Sequence, residues 1–275
     1  MSIELDLIID SADESVDMKS GLESMQGVSD AVRRTAEAIL SGKTPKRQSH
    51  KDSVRTSLKR SFKGSYGHTF SLDIYDEELS KKLSDMGRAT FLELMKHFLL
   101  ESIYQHVEDI SPDAQKYIDS LGSTSEEIVK QLRISSLKKI HDVPSKFHYD
   151  IKVRYLDERG RKFIIGKFDS NSAMVLHVKE SSESHEIMIS VTRLNIHTGN
   201  GRLQIKGHNE TVAFNFGIEY KDVDIEAKKF FSENLNYNNG IPESKWQYLR
   251  VIVIPLTLPH GEIVKYIVKG FHRNE

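Results

Sequence analysis

The sequence predicts an α+β chain in two domains. Residues 1–145 read as an N-terminal α/β sandwich domain with a long central helix, and residues 146–275 as a small β-barrel, OB-like or SH3-like. Three observations lead there. The 275 residues exceed the roughly 100–200 of one domain. Up to about residue 145 the apolar residues switch between a period of two and a period near 3.6, as strands and helices do. In the last part the order is three strands, one helix and two strands, the chain order of a five-stranded OB-type barrel.

The N-terminal elements follow in order. Ile3, Leu5, Leu7 and Ile9 alternate with Glu4, Asp6 and Ile8, a first strand. Leu22, Met25, Val28, Val32, Ala36 and Ile39 recur at three- and four-residue steps, an amphipathic helix ended by Gly42 with Pro45 beyond. Val54, Thr56 and Leu58, then Phe70, Leu72 and Ile74, alternate on either side of Lys63-Gly64-Ser65 and predict a β-hairpin. Asp76 caps a helix over 76–107 that is apolar almost all round from Phe91 to Leu100, so it is expected to be central and to contribute to a homo-oligomer contact. Ser111-Pro112 opens a short helix, and the capping box Ser123-x-x-Glu126 opens another that must stop before Pro144.

In the second part, 151–155 and 163–165 read as strands around the turn Glu158-Arg159-Gly160. Strands are expected at 185–197, 201–206 and 210–217, a helix over 222–235, and strands at 246–257 and 262–272. Ile187, Ile189 and Val191 hold odd positions, whereas Leu194 and Ile196 hold even ones. The inward phase therefore flips near Thr192-Arg193, as a β-bulge requires. Thr198-Gly199-Asn200-Gly201 closes the hairpin.

A strand, a long helix, a basic hairpin and a helical segment precede a β-domain carrying Val191-Thr192-Arg193-Leu194-Asn195-Ile196-His197-Thr198-Gly199-Asn200-Gly201-Arg202. This arrangement resembles a bacterial family of two adjoining domains of unknown function, found near mobile and antiphage-defence genes. The resemblance implies a biological setting and carries over no catalytic residues.

Composition excludes several classes. With no cysteine there is no disulfide framework, thiolate nucleophile or cysteine-ligated metal, and an intracellular site is expected. Six Pro, 16 Gly and a net charge of -1 argue against collagen-like and disordered chains. The N-terminus carries acids where a leader needs bases, and no apolar run approaches the ~20 residues of a membrane span. A cytoplasmic protein without membrane contact is the expectation.

Charge is segregated. Residues 1–30 hold eight acids and one base, net -7, and residues 43–63 hold eight bases and one acid, net +7. Bases spaced along extended chain can track a polyanion; more often such a hairpin pairs with its own domain's acids or is a solvated face. In the barrel, Arg193, His197, Arg202, Gln204, Lys206, Lys265 and Lys269 can share an outer face, with Tyr237, Trp246 or Tyr248 as stacking platforms. Alternatively, Trp246 and Tyr248 are core and the bases keep the barrel soluble. The nucleic-acid-binding candidates are Arg47, Arg55, Lys59, Arg60, Arg193, His197, Arg202, Lys206 and Lys265.

Catalytic signals are weak. Glu93, His97 and Glu101 share a helix face but lack a second element to converge with, and His141-Asp142 and His148 are no stronger. Asp222, Asp224 and Glu226-Ala227-Lys228 have the spacing of metal-dependent nucleases, where the motif sits on a strand; here the pattern is helical. No nucleophile elbow or phosphate loop occurs. The expectation is a non-enzymatic binding component, without cofactor, metal site or catalytic residues, that takes nucleic acid or a protein partner. A metal-dependent nuclease and a protein-only adaptor or phage-ligand sensor are the alternatives.

Overall fold

The computed structural model describes residues 1–272 apart from 46, 63–65, 106, 108, 109 and 158. Lys46, Lys63 and the hairpin break 63–65 therefore lie outside the described residues, as does Glu158 of the predicted turn. Two compact units emerge, Met1–Leu176 and His177–Glu275.

The first unit holds β1 (Ser2–Ile9), α1 (Met18–Ser41), β2 (Val54–Phe62), β3 (Tyr66–Ile74), α2 (Glu77–Met86), α3 (Arg88–Ser102), α4 (Pro112–Leu121), α5 (Ser123–Gln131), α6 (Leu137–Ile140), α7 (Asp142–Phe147), β4 (Ile151–Leu156) and β5 (Lys162–Phe168). Its antiparallel sheet runs β2-β3-β1-β4-β5. Ile3, Leu5, Leu7 and Ile9 bury one face of β1 in a core shared with Val28, Val32, Phe91 and Phe98 of α1 and α3. By register, the opposite face carries Glu4, Asp6, Arg60, Thr69 and Arg154.

Local signals act as expected at several ends. The Asp17 carboxylate accepts from Ser20 N and starts α1, and Gly42, at φ 72°, ends it. Asp76 accepts from Leu79 N at 2.9 Å and Ser111 Oγ from Ala114 N at 3.2 Å. The box at Ser123 does not form: α5 starts at Ser123 itself behind Gly122, with no side-chain cap. Pro144 lies in the first turn of α7, where its missing N–H leaves no bond unmade.

Two larger expectations are corrected. The boundary at 145 gives way to one between residues 176 and 177, because β4 and β5 complete the first sheet through pairing of β4 with β1. Alternation marks a strand but does not name its partner. The single helix over 76–107 is two helices. Gly87, at φ 82° and ψ 144°, turns the chain between α2 and α3, so the 24-residue α1 is the longest helix among the described residues. Phe91, Leu92, Leu94, Met95, Phe98 and Leu99 are all buried in their own unit. The apolar circumference that suggested a homo-oligomer contact is thus covered within the chain.

The second unit contains β6 (Lys179–Glu180), β7 (His185–Leu194), β8 (Gly201–Ile205), β9 (Thr211–Asn215), α8 (Ile225–Asn238), β10 (Leu249–Thr257) and β11 (Ile263–His272). Five strands close into a barrel in the ring order β7-β8-β9-β11-β10, with β9 and β11 parallel and every other pair antiparallel. Ile189, Val191, Leu203, Phe214, Val251 and Val268 fill it, and Phe231 of α8 packs into the same core. Among the described residues no helix is long and apolar enough to cross a membrane.

Candidate nucleic-acid interface

Strand register assembles the barrel candidates. The predicted bulge falls at Thr192, where the β7–β8 register shifts between Val191 and Arg193. It sets Arg193 opposite Arg202. Arg202 in turn faces Ala213 of β9, and Ala213 faces Lys265 of β11. Leu203, next to Arg202, is fully buried, so the row carrying Arg193, Arg202 and Lys265 belongs to the outer surface. Cross-strand neighbours stand roughly 5 Å apart, close to the scale of successive phosphates on an extended strand.

The bulge is held from below. Asn234 and Asn238 of α8 are 4% and 5% exposed. Asn234 Oδ1 accepts from Val191 N at 2.8 Å, and Asn234 Nδ2 donates to Gln247 O at 2.8 Å. Asn238 Nδ2 donates to Ser190 Oγ at 2.8 Å, and its Oδ1 accepts from Gln247 N at 2.9 Å. Two buried amides therefore satisfy backbone groups that the disturbed ladder leaves over.

The 195–200 turn locks itself. Asn195 Oδ1 accepts from His197 N at 2.8 Å and Thr198 N at 3.2 Å, and Gly199 N donates to Asn195 O at 2.8 Å. Gly199 has φ 72°, and a Cβ there would stand 2.3 Å from the Tyr220 ring. Burial pushes the Tyr220 hydroxyl pKa up. Lys265 Nζ donates to Asn200 Oδ1 at 3.4 Å, which ties the row to the turn, and His197 is exposed beside it.

The other candidates lie elsewhere. Lys206 is four residues along the chain from Arg202, roughly 13 Å in extended geometry. Its Nζ sits 5.4 Å from the Tyr248 ring centroid, in a groove of about 1010 Å³ with Met188, Phe230 and Gln247. Glu226 and Glu233 also line that groove and oppose its charge. Trp246 is half-buried and donates from Nε1 to Ile241 O at 3.1 Å, whereas Tyr237 is 50% exposed on α8.

In the first unit, Arg47 is exposed in the loop after α1, and Lys59 is exposed at the bulge of edge strand β2. Arg55 stacks 3.8 Å from the Tyr75 ring centroid, and Arg60 reaches Glu4 at 4.0 Å. The acids of residues 1–30 mostly find other bases: Asp6 pairs with Arg154 at 3.0 Å, Asp10 with Lys152, and Asp30 with Lys139 at 3.2 Å. Sequence reasoning missed these bases, although the alternation of Lys152 and Arg154 against Ile151 and Val153 placed them on one face.

The metal-type motifs do not assemble. Both Glu93 oxygens accept from Ser111, from its N at 2.5 Å and its Oγ at 2.7 Å, which fastens α4 to α3. Glu226 and Lys228 lie on α8, and Lys228 Nζ donates to Lys221 O at 3.2 Å. Among the described residues no group of three His, Asp or Glu side chains could hold a metal ion. No protein-family model, curated protein or solved structure matches the chain.

Proposed function

We propose that this chain is a non-enzymatic binding protein whose barrel, read as OB-type, holds single-stranded nucleic acid on the outer face of its second and third strands. The observation that carries the reading is the cross-strand row of Arg193, Arg202 and Lys265, tied to the 195–200 turn. Two features support OB-type over SH3-like. The helix falls between the third and fourth barrel strands, and the third strand runs parallel to the fifth. In OB barrels the second and third strands, with the first hairpin loop, form the oligonucleotide-binding face. The bases of β2 and its preceding loop would add affinity without sequence preference. The family resemblance alone supplies a defence or mobile-element setting and a place in the cytoplasm.

A protein partner is the second reading, favoured by the groove beside α8, where Ile225 is 66% exposed next to Met188 and Phe230. Titration of labelled single- and double-stranded oligonucleotides at two salt concentrations separates the readings. The nucleic-acid reading expects binding at low salt with single strands preferred. Absence of binding at low salt overturns it in favour of the protein partner.

A further inference from the structure

The face of the first sheet opposite its helices contains a cavity of about 590 Å³, the size of a small-molecule site. Arg60, Arg88, Arg154 and Lys162 line it, against the carboxylates of Glu4 and Asp6. The charge balance is therefore positive within one concave surface. Asp6 is buried and fully engaged: its Oδ2 accepts from Arg154 Nε at 3.0 Å and its Oδ1 from Thr69 Oγ1 at 2.9 Å. That clamp fixes the Arg154 guanidinium at the floor and leaves its remaining N–H groups as directed donors.

Two further features converge there. Arg88 is the first residue of α3, a 15-residue helix that begins behind Gly87 without a side-chain cap, so the positive end of its dipole lies at the same wall. Phe62 supplies a ring. It packs against Gly67, where a Cβ would stand 2.3 Å from a ring carbon, and its centroid is 5.6 Å from the Arg154 guanidinium carbon. Only glycine lets the ring lie that close to the sheet.

We infer that this cavity is a binding site for a nucleoside phosphate, with the phosphate held by Arg60, Arg88, Arg154 and Lys162 and the base against Phe62. Arginine forks match phosphate oxygens, and a stacked base adds contact without a sequence demand. The nucleoside phosphate is either a free nucleotide or the 5′-phosphorylated end of a strand. The site is distinct from the barrel row and does not depend on it.

Calorimetric titration of the full chain tests the inference. The probes are adenosine monophosphate, adenosine, inorganic phosphate, and a short single strand with either a 5′-phosphate or a 5′-hydroxyl. Adenosine monophosphate is expected to bind more tightly than inorganic phosphate, and adenosine more weakly than both. Arg88→Gln with Lys162→Gln, two exposed positions, should lower the nucleotide affinity about tenfold, the equivalent of one charge-assisted contact, with the melting temperature unchanged. Phe62→Leu should bring the nucleotide affinity down towards that of phosphate. If only the 5′-phosphorylated strand outbinds the free nucleotide, the source is a strand end; if the two strands bind alike, it is the free nucleotide. No nucleotide binding by the wild type overturns the inference. So does binding that survives Arg88→Gln with Lys162→Gln but is lost in the barrel variant Lys206→Gln.

Discussion

Arg202 bridges its own strand to the next: its Nε donates to Thr211 Oγ1 at 2.8 Å and its Nη2 to Thr211 O at 2.5 Å. A guanidinium expected to stand outward purely as a phosphate contact is also a brace across β8 and β9. Arg202→Ala should therefore lower barrel stability by about 1–2 kcal/mol, the scale of charged hydrogen bonds exchanged for solvent contacts. Arg202→Lys keeps the charge but cannot reproduce the fork, and it should lose most of the same stability. Urea unfolding followed by Trp246 fluorescence reads both.

The amides under the bulge give a sharper stability effect. Asn234→Ala leaves the buried Val191 N–H without its acceptor and Gln247 O without one donor. The expected loss is about 1–3 kcal/mol. Hydrogen exchange at Val191 should speed up along with the loss, which a mere cavity effect would not single out.

Gly201 tests the steric side. A Cβ there would stand 2.3 Å from Arg193 O and 2.4 Å from a ring carbon of Phe214, both fixed parts of the barrel wall. Gly201→Ala should cost about 1–3 kcal/mol or more, because backbone and core must both shift. Gly207→Ala, with open space but φ 83°, should show only the smaller conformational penalty of about 1 kcal/mol. Thermal melts of the two variants side by side rank the effects.

A pH dependence follows from His141, which is fully buried in the first unit. Its Nδ1 donates to Leu137 O at 2.8 Å, so Nε2 accepts from Ser172 Oγ at 2.9 Å. Burial holds its pKa below the ordinary histidine value. The folded state thus keeps the ring neutral while the unfolded chain takes up a proton below about pH 6.5. Stability from this site is complete above that pH and declines as pH falls from there towards the lowered folded value. Melting temperatures measured between about pH 8 and pH 5 should drop on the acid side, and His141→Gln should flatten that part of the curve.

The barrel was legible in the sequence to a large extent. Its strand order, the helix before β10 and the phase flip at Thr192 all came from alternation and turn residues, which are local signals. Gly42, Asp76 and Ser111 likewise marked helix ends through backbone chemistry carried by one or two residues. What the sequence hid is non-local. Pairing of β4 with β1 joins residues about 150 positions apart, and nothing in Ile151–Leu156 names its partner. The turn at Gly87 was hidden because a lone glycine is tolerated within a helical pattern. The candidate site divides the same way. Arg193, Arg202 and Lys265 were legible as outward bases, but their single row depends on the bulge and on the parallel pairing of β9 with β11. The Asp6–Arg154 clamp was not legible, because it needed the missed strand pairing.

The central claim is that the barrel row contacts a nucleic-acid backbone, and its most direct test is the salt dependence of single-strand binding. Each phosphate contact contributes about -0.7 to the slope of log affinity against log salt, so three contacts give about -2, and more if the β2 bases join. Lys265→Gln should weaken binding to all sequences alike and make that slope shallower by about 0.7. It leaves the Arg202 brace intact, so folding should be unchanged. Fluorescence anisotropy of a labelled single strand, titrated with wild type and Lys265→Gln over a salt series, gives both slopes. A wild-type slope near -2 or steeper, reduced in the variant, is the predicted result; binding with equal slopes in both proteins would contradict the account.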